Sequence, residues 1–419
     1  MVRRVAVTGL GIVAPQCRSI GEFWNLLIAG NGLACSGGGF APAALMLPAE
    51  FNAGISEFET ADSARQKAIR KNLKVMSREI QMAVAASCRA LTCAGISVGQ
   101  FSADRVGISF GSDYIITTPE DVLDGIKNCT DSDGFRFGKW GMSGLAGMQP
   151  LWQLKYLPNM PASHIAILND FHGPSNSITL REASVGAVIG ESVEIIKSGR
   201  ADIMVAGTTG SRLHPFKFLH ARLHEELTQT ACRPFDLHRD GTVLGEGAGS
   251  VILEDWEHAE RRGAKIWAEI LCGSYRFGRD CRSAVCGVLK SVLRRSNMLP
   301  ENVGHVNAHG LGVRELDFAE AVAIDDVFGK RQKPVPVTAV KSVFGNLGAG
   351  SGMTELIAGI LSLQNQTLFP AHTVTELDPA CPVALVEKSG IPAGDSFVKI
   401  AVNPQAQCSA VLVRNCTNL

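Results

Sequence analysis

Short apolar runs alternate with amphipathic helical patterns along the 419-residue chain. The run VAVTGLGIV over 5–13 is typical of a buried strand that ends in a glycine turn. The segment 77–96 repeats its apolar residues at helical spacing, and Ser77 is placed to cap that helix. Further elements follow by the same rule: strands over 104–112, 201–209, 249–255, 303–310, 335–342, 396–404 and 408–415, and helices over 185–199, 284–298, 315–329 and 354–365.

The order of these elements predicts a layered α/β fold with an internal repeat. Each half of the chain reads roughly β-α-β-α-β, so we divide it into an N-terminal half over 1–250 and a C-terminal half over 251–419. Residues from about 113 to 160 show no clear periodicity and are predicted to form an insertion in the first half. A long insertion of this kind caps a site, builds an interface or is a plain surface excursion.

Composition narrows the classes of function. The chain carries 40 basic and 40 acidic residues, so its net charge favours neither nucleic acid nor an anionic membrane as a partner. The apolar run at the N-terminus is too short and too interrupted by glycine for a signal peptide or a membrane span. The twelve cysteines include no CxxC pair and no cluster of metal-binding spacing, which predicts reduced thiols in a cytoplasmic protein without a metal or a cofactor.

The stretch SITLREASVGAVIGE over 177–191 combines a short strand, an abrupt turn and a helix of small residues. Many enzymes present a nucleophile on such an elbow. Here the turn carries Arg181 and Glu182, with no serine, threonine or cysteine at the elbow itself. A carboxylate at the N-terminus of a helix is stabilised by the helix dipole by a few tenths to about 1 kcal/mol.

Two other segments place polar side chains where predicted strands end. In VNAHGLGVRELDFAE, His309 follows a strand and precedes a helix that carries Asp317 and Glu320. Open α/β sheets bind ligands at this end of their strands, which favours a functional over a structural histidine. In VKSVFGNLGAGSGMTELIAG, Lys341 ends a predicted strand and Glu355 lies inside an apolar helix, where a carboxylate needs a partner such as Lys341.

Taken in chain order, these segments resemble the β-ketoacyl synthases of the thiolase-like superfamily, in the branch of type II fatty acid and polyketide synthesis. The resemblance covers nearly the whole chain. It rests on VAVTGLGIVAP, on VMSREIQMAVAASCRALTCAGI, on RPFDLHRDGTVLGEGAGSVILED, on VNAHG followed by Asp317 and Glu320, and on KSVFGN with Glu355 downstream. It implies a thiolase-like five-layer αβαβα fold with two pseudo-repeated halves, an obligate dimer and acyl-carrier-protein substrates.

The resemblance also implies a set of catalytic positions. In the family, a cysteine at the N-terminus of a buried helix takes the acyl chain, and two histidines, a lysine and a glutamate support decarboxylation of the malonyl thioester. This sequence keeps His309, Lys341 and Glu355, but has Glu182 at the nucleophile position and Asn346 at the second histidine. Three further changes fall where the family shapes its acyl tunnel: Phe344 replaces a small residue, and Gln405 and Gln407 replace two phenylalanines of a loop.

With these departures, the resemblance predicts a degenerate site in a non-elongating ketosynthase homologue, like the chain-length factors of type II polyketide synthases. Such a subunit pairs with an active ketosynthase in a heterodimer or heterotetramer. It shapes the tunnel for the growing chain in polyketide, polyene or fatty acid synthesis, and it is not expected to be catalytic alone. If Glu182 is ionised, we expect helix amides to hold its charge together with a cation, and Lys341 or His309 is as plausible a counter-charge as the adjacent Arg181.

Three alternatives stay open on the sequence. A malonyl-carrier-protein decarboxylase that primes synthesis requires a protonated Glu182, because an anion repels both the malonyl carboxylate and the enolate. An acyltransferase that forms esters or amides would use Glu182 covalently or as a base. The covalent route would form an acyl anhydride, which hydrolyses readily. The third alternative is a carrier-protein-binding module without a ketosynthase partner.

Overall fold

The computed structural model describes residues 3–30, 46–60, 62–224, 227–228 and 230–416. In chain order its strands and helices are β1 (Val5–Val13), α1 (Ile20–Ala29), β2 (Met46–Leu47), α2 (Ser63–Asn72), α3 (Arg78–Cys93), β3 (Val106–Ser112), α4 (Pro119–Asn128), β4 (Thr130–Asp131), β5 (Gly134–Phe135), α5 (Met160–Asn169), β6 (Ser175–Thr179), α6 (Ser184–Lys197), β7 (Ile203–Ser211), α7 (Pro215–His224), β8 (Leu244–Asp255), α8 (Trp256–Arg261), β9 (Ala268–Phe277), α9 (Cys281–Arg295), β10 (His305–Asn307), α10 (Arg314–Phe328), β11 (Pro336–Thr338), α11 (Lys341–Phe344), α12 (Ala349–Asn365), β12 (Ala384–Leu385), β13 (Ser396–Val402) and β14 (Gln407–Arg414).

The main strands form two groups of matching order. The N-terminal group has the order β6-β3-β7-β8-β1 and the C-terminal group has the order β11-β10-β13-β14-β9, with β12 beside β11. In each group the first three strands are parallel and the last two are antiparallel to their neighbours. A short antiparallel contact between β1 and β9 joins the groups. This repeated order confirms the predicted pseudo-repeat, while the boundary at residue 250 stays a prediction.

Helices fill the space between the two groups and cover both outer faces. The central helix α6 packs against β3 and β7 on one side and against β9 and β14 on the other. Its counterpart α12 packs between β7 and β8 on one side and β13 on the other. Helices α3 and α5 cover the N-terminal strands, and α9 covers the C-terminal strands with α10 against it. The expected five-layer αβαβα arrangement is therefore confirmed.

The central layer depends on small residues. Because α12 lies between two sheets, it is apolar on every side, and all its residues from Ala349 to Leu363 are buried. A Cβ on Gly190 of α6 would lie 2.9 Å from the carbonyl oxygen of Gly273 in β9. The small residues of the SVGAVIG stretch are thus required by the close approach of a helix to a strand backbone.

Some element ends differ from the sequence prediction. The strand predicted over 335–342 ends at Thr338, and Lys341 begins the short helix α11 instead of ending a strand. The backbone amides of Ser342 and Val343 bond to carbonyls three residues earlier, which starts a helical turn. Strand β10 is also shorter than predicted, because β11 and β13 pair with it only over His305–Asn307.

The insertion over about 113–160 carries structure of its own. It contains α4, the small β4–β5 hairpin and several short helical turns. It also exposes large apolar side chains, with Phe137 and Met142 being 76% and 87% exposed. A patch of this kind on a folded protein marks a contact surface.

The cysteines of the described residues agree with the predicted reduced thiols. The eleven cysteines of the described residues are all free thiols, and most of them are buried. Within the described part of the chain, none of the helices combines the length and the apolarity needed to cross a bilayer.

Replacing Gly352 with alanine is expected to destabilise the protein by about 1–3 kcal/mol, because overpacking forces a backbone or rotamer shift. A Cβ there would lie 2.7 Å from Cβ of Val185 and 3.1 Å from the backbone oxygen of Glu182. The matched control is Gly21→Ala in α1, where a Cβ meets nothing within 4 Å. Urea unfolding followed by circular dichroism measures both variants, and equal midpoints would contradict the close packing of α12 on the elbow.

Candidate active site

Glu182 lies on the elbow between β6 and α6, as the sequence predicted. The chain leaves β6 at Thr179 and enters a helical turn over Arg181–Ala183 that leads directly into α6. Arg181 has a φ of 52°, in the left-handed region that non-glycine residues occupy only when the surroundings hold them there. This conformation directs the side chain of Glu182 inwards, where the residue is 2% exposed.

Arg212, at the end of β7, is the counter-charge of Glu182. Its Nη2 donates to Oε1 of Glu182 over 2.6 Å, and both side chains are buried. Two weaker contacts complete the surroundings of the carboxylate: Nε of Arg181 lies 3.6 Å from Oε2, and Nδ2 of Asn346 lies 3.5 Å from Oε1. Of the counter-charges expected from the sequence, Arg181 is therefore present, whereas Lys341 pairs with Glu355 instead.

The Glu182 side chain is ionised. Burial by itself raises the pKa of this carboxyl, but Arg212 and Arg181 outweigh burial and hold the pKa well below its ordinary value of 4.5. Arginine keeps its charge in proteins, so a buried carboxylate beside it stays an anion at neutral pH.

Lys341 belongs to a second buried cluster, around Glu355 of α12. Its Nζ donates to Oε1 of Glu355 over 2.5 Å and to the backbone oxygen of His309 over 2.9 Å. Lys399, on β13, contacts the other carboxylate oxygen of Glu355 over 2.6 Å. Two ammonium groups thus share one carboxylate, and the predicted partnership of Lys341 with Glu355 is present.

His309 is a neutral imidazole in this arrangement. Burial, together with Lys341 and Lys399, lowers its pKa well below the ordinary value of 6.5. Nζ of Lys341 lies 3.2 Å from Nδ1 of His309. An ammonium group can only donate, so Nδ1 accepts and the ring proton lies on Nε2.

Asp317 and Glu320 hold the loop after β10. Glu320 accepts the backbone amides of His309 and Gly310 over 2.6 and 2.9 Å, and Asp317 accepts that of Leu311 over 2.8 Å. Burial raises the pKa of Glu320 to about 7 and that of Asp317 to about 6, with these amides acting in the opposite direction. Glu320 therefore positions the backbone of His309, and Asp317 holds the residues of the loop that follow it.

Asn346, at the place of the second histidine, is locked into a turn. Its Oδ1 accepts the amide of Gly348 over 3.0 Å and the hydroxyl of Ser351 over 3.3 Å. The amide nitrogen Nδ2 is thereby directed at Glu182. The side chain still offers a hydrogen-bond donor, but this donor faces a protein carboxylate.

The three residues assigned to the tunnel lie on two sides of the site. The ring of Phe344 stacks on Phe23 with 4.8 Å between centroids, inside the apolar core. Gln405 accepts from Arg181 over 3.2 Å, and Gln407 accepts from Nδ2 of Asn403 over 2.6 Å. The β13–β14 turn is thus tied to the elbow, and the role of these residues in shaping a tunnel stays a prediction.

Sequence reasoning missed Arg212 and Lys399. Both had a signal in the chain. Arg212 lies three residues after the apolar run ADIMVAGTT and directly after β7, at the same sheet edge as Glu182, because β6, β3 and β7 are parallel. Lys399 interrupts the apolar run SFVKIAV, and a charge inside a buried strand requires a partner.

The comparison with known families decides the identity of the fold. Residues 2–259 match the family "Beta-ketoacyl synthase, N-terminal domain", and residues 277–375 match "Beta-ketoacyl synthase, C-terminal domain". The chain belongs to the β-ketoacyl synthase family. The motifs that suggested this family, from the opening strand to KSVFGN, lie within the matched residues.

Relatives and solved structures agree with this assignment. The chain is 29% identical to 3-oxoacyl-[acyl-carrier-protein] synthase 2 of Synechocystis sp. over 405 residues, which cover 92% of this chain and 91% of that protein. It is also 29% identical to the oxytetracycline polyketide putative beta-ketoacyl synthase 1 of Streptomyces rimosus, over 92% and 90% of the two chains. The ishigamide ketosynthase/chain length factor shares the fold with a TM-score of 0.83 at 22% identity, over 99% of this chain and all of that one.

Replacing Glu182 with glutamine is expected to lower the free energy of unfolding by about 3–5 kcal/mol at neutral pH, because Arg212 loses its buried anion. The folded pKa of Glu182 lies below its ordinary value of 4.5. The ion pair therefore contributes fully above that value, and its contribution falls as the pH drops towards the folded pKa. The difference between wild type and variant should be constant from about pH 6 to 9 and shrink below about pH 4.5.

Urea denaturation across this pH series is the measurement. The control is Glu194→Gln on the same helix, whose side chain is 59% exposed in a surface pair with Arg295. That change should cost less than about 1 kcal/mol. A difference for Glu182→Gln that grows as the pH falls from 8 to 5 would mean that the native carboxyl is neutral.

Proposed function

We propose that this chain is a non-elongating ketosynthase homologue, a chain-length factor, that acts in the cytoplasm with an active ketosynthase. The pair would build polyketide, polyene or fatty acyl chains on an acyl carrier protein. The observation that carries the proposal is the buried ion pair between Glu182 and Arg212, at the position where the family presents its cysteine.

The ion pair removes the chemistry that elongation needs. Condensation begins with transfer of an acyl group to a thiolate, and Glu182 offers an ionised carboxylate whose charge is held by Arg212. An acyl carboxylate would be an anhydride, which hydrolyses before it can condense. The donor at position 346, which the family uses for the enolate, faces the same carboxylate. The covalent acyltransferase alternative loses support for the same reason.

The surface supports a partner of the same fold. In the described residues β6 is one of the two edge strands of the sheet, and it lies beside a groove of about 720 Å³ between β6, α6 and β9. The nearby insertion exposes a set of large apolar side chains: Leu123, Ile126, Phe135, Phe137, Met142 and Leu145. Edge strands and exposed apolar side chains are commonly covered by a partner in stable proteins. We therefore assign β6 and the insertion to the contact with the ketosynthase subunit.

A basic helix supports a carrier protein as the second partner. Lys67, Arg70 and Lys71 are exposed on α2, and Lys74 follows in the next turn. No acidic residue lies in the first turn of this helix. Four basic side chains on one exposed segment fit an acidic protein surface and steer its approach.

Reconstitution tests the proposed pairing. The purified chain alone is expected to form no elongated acyl chain from malonyl carrier protein. Co-expression with a neighbouring ketosynthase should yield a one-to-one complex by native mass spectrometry. That complex should elongate, and replacing the nucleophilic cysteine of the partner with alanine should abolish the product. Elongation by the isolated chain, or by the complex with the inactivated partner, would overturn the proposal.

The decarboxylase alternative is weakened by the charge on Glu182. An anion at that position repels the malonyl carboxylate and the enolate that forms from it. We therefore expect the wild-type chain to release no carbon dioxide from malonyl carrier protein above background, measured with a labelled malonyl carboxylate. Release that is lost in His309→Ala would restore this alternative.

A further inference from the structure

The surroundings of Glu182 form a receptor for one carboxylate. Arg212, Arg181 and Asn346 come from three separate segments. Arg212 and Asn346 direct N–H groups at Oε1 over 2.6 and 3.5 Å, and the positive charge of Arg181 lies 3.6 Å from Oε2. The guanidinium of Arg212 is buried, so its attraction for an anion is little screened by solvent. In this protein the anion belongs to the chain itself.

The receptor is held by contacts that do not involve Glu182. The backbone amide of Arg212 donates to the carbonyl of Gly245, and its side chain passes beside Gly348, where a Cβ would lie 3.4 Å from Nε. The backbone amide of Asn346 donates to the carbonyl of Val243 over 2.8 Å. These contacts fix the backbone of Arg212 and Asn346 independently of the Glu182 side chain.

We propose that Arg212, Asn346 and Arg181 form a binding site for small carboxylates and that Glu182 is its permanent internal ligand. The site is closed by occupancy and not by collapse of the elbow. A malonyl group, which carries a carboxylate of its own, is excluded because the place for that carboxylate is already taken. This inference deepens the proposed function. It rests on that function in one respect, which is that the native site is closed to malonyl groups.

The geometry of the side chain selects the probes. The atoms of glutamate beyond Cβ are those of acetate, and the atoms beyond Cα are those of propionate. The variant Glu182→Ala should therefore bind acetate, and Glu182→Gly should prefer propionate to acetate. A ligand that binds the folded state raises the unfolding temperature in a saturable way, here by at least about 2 °C.

The experiment follows the thermal unfolding of the full chain in increasing sodium acetate. Sodium chloride of equal ionic strength controls for screening, and acetamide controls for shape without charge. Glu182→Ala should respond to acetate alone, wild type should respond to none of the three, and the double variant Glu182→Ala with Arg212→Met should lose the acetate response.

If the single variants fold only when acetate or propionate is present in the medium, recovery of soluble protein counts as binding. The inference is overturned if neither acetate nor propionate raises the unfolding temperature of Glu182→Ala or Glu182→Gly, or the recovery of soluble protein where a variant does not fold without them. An equal response to acetate and acetamide overturns it too, because a cavity alone would explain that result. Reconstitution with the ketosynthase measures elongation, whereas the acetate series measures the unfolding temperature. Failure of one test therefore does not change the result of the other.

Discussion

A charge that is buried between two sheets has to be paired, and this requirement organises the centre of the protein. The carboxylate of Glu182 faces the end of β7, where Arg212 supplies its counter-charge. The carboxylate of Glu355, on the central helix α12, is shared by Lys341 and Lys399 from two further elements. The Glu182 pair ties the turn before α6 to the end of β7, and the Glu355 cluster ties α12 to α11 and β13.

The same requirement couples the residues at positions 182 and 212. Breaking one partner of a buried ion pair costs about 3–5 kcal/mol, so an anion at position 182 is compatible with folding only together with a cation at position 212. Asn346 fits the same arrangement, because its amide donates to the carboxylate while Oδ1 fixes the turn. Beside this pair, burial and the neighbouring lysines lower the pKa of His309 and keep its ring neutral.

Periodicity predicted most elements well and their ends poorly. The patterns over 5–13 and 77–96 became β1 and α3, and Ser77 caps α3 by accepting the amide of Ile80. Lys341 was placed at the end of a strand because VPVTAV continues an apolar run. The strand stops at Thr338, where its neighbour β10 offers no further pairing. The end of a strand depends on the length of the strand that pairs with it, and local sequence does not reveal that length.

The sequence by itself determined the family, the order of the layers and the position of the unusual carboxylate, because apolar periodicity and motif spacing are properties of neighbouring residues. Only the tertiary structure decided the partner of that carboxylate. The motifs offered Lys341 and His309 as counter-charges beside Arg181, yet Lys341 forms its ion pair with Glu355. Parallel strands bring Glu182 and Arg212 to one edge of a sheet although 30 residues separate them. The charge state of Glu182 follows from this contact, since burial alone would have raised its pKa and the buried guanidinium lowers it.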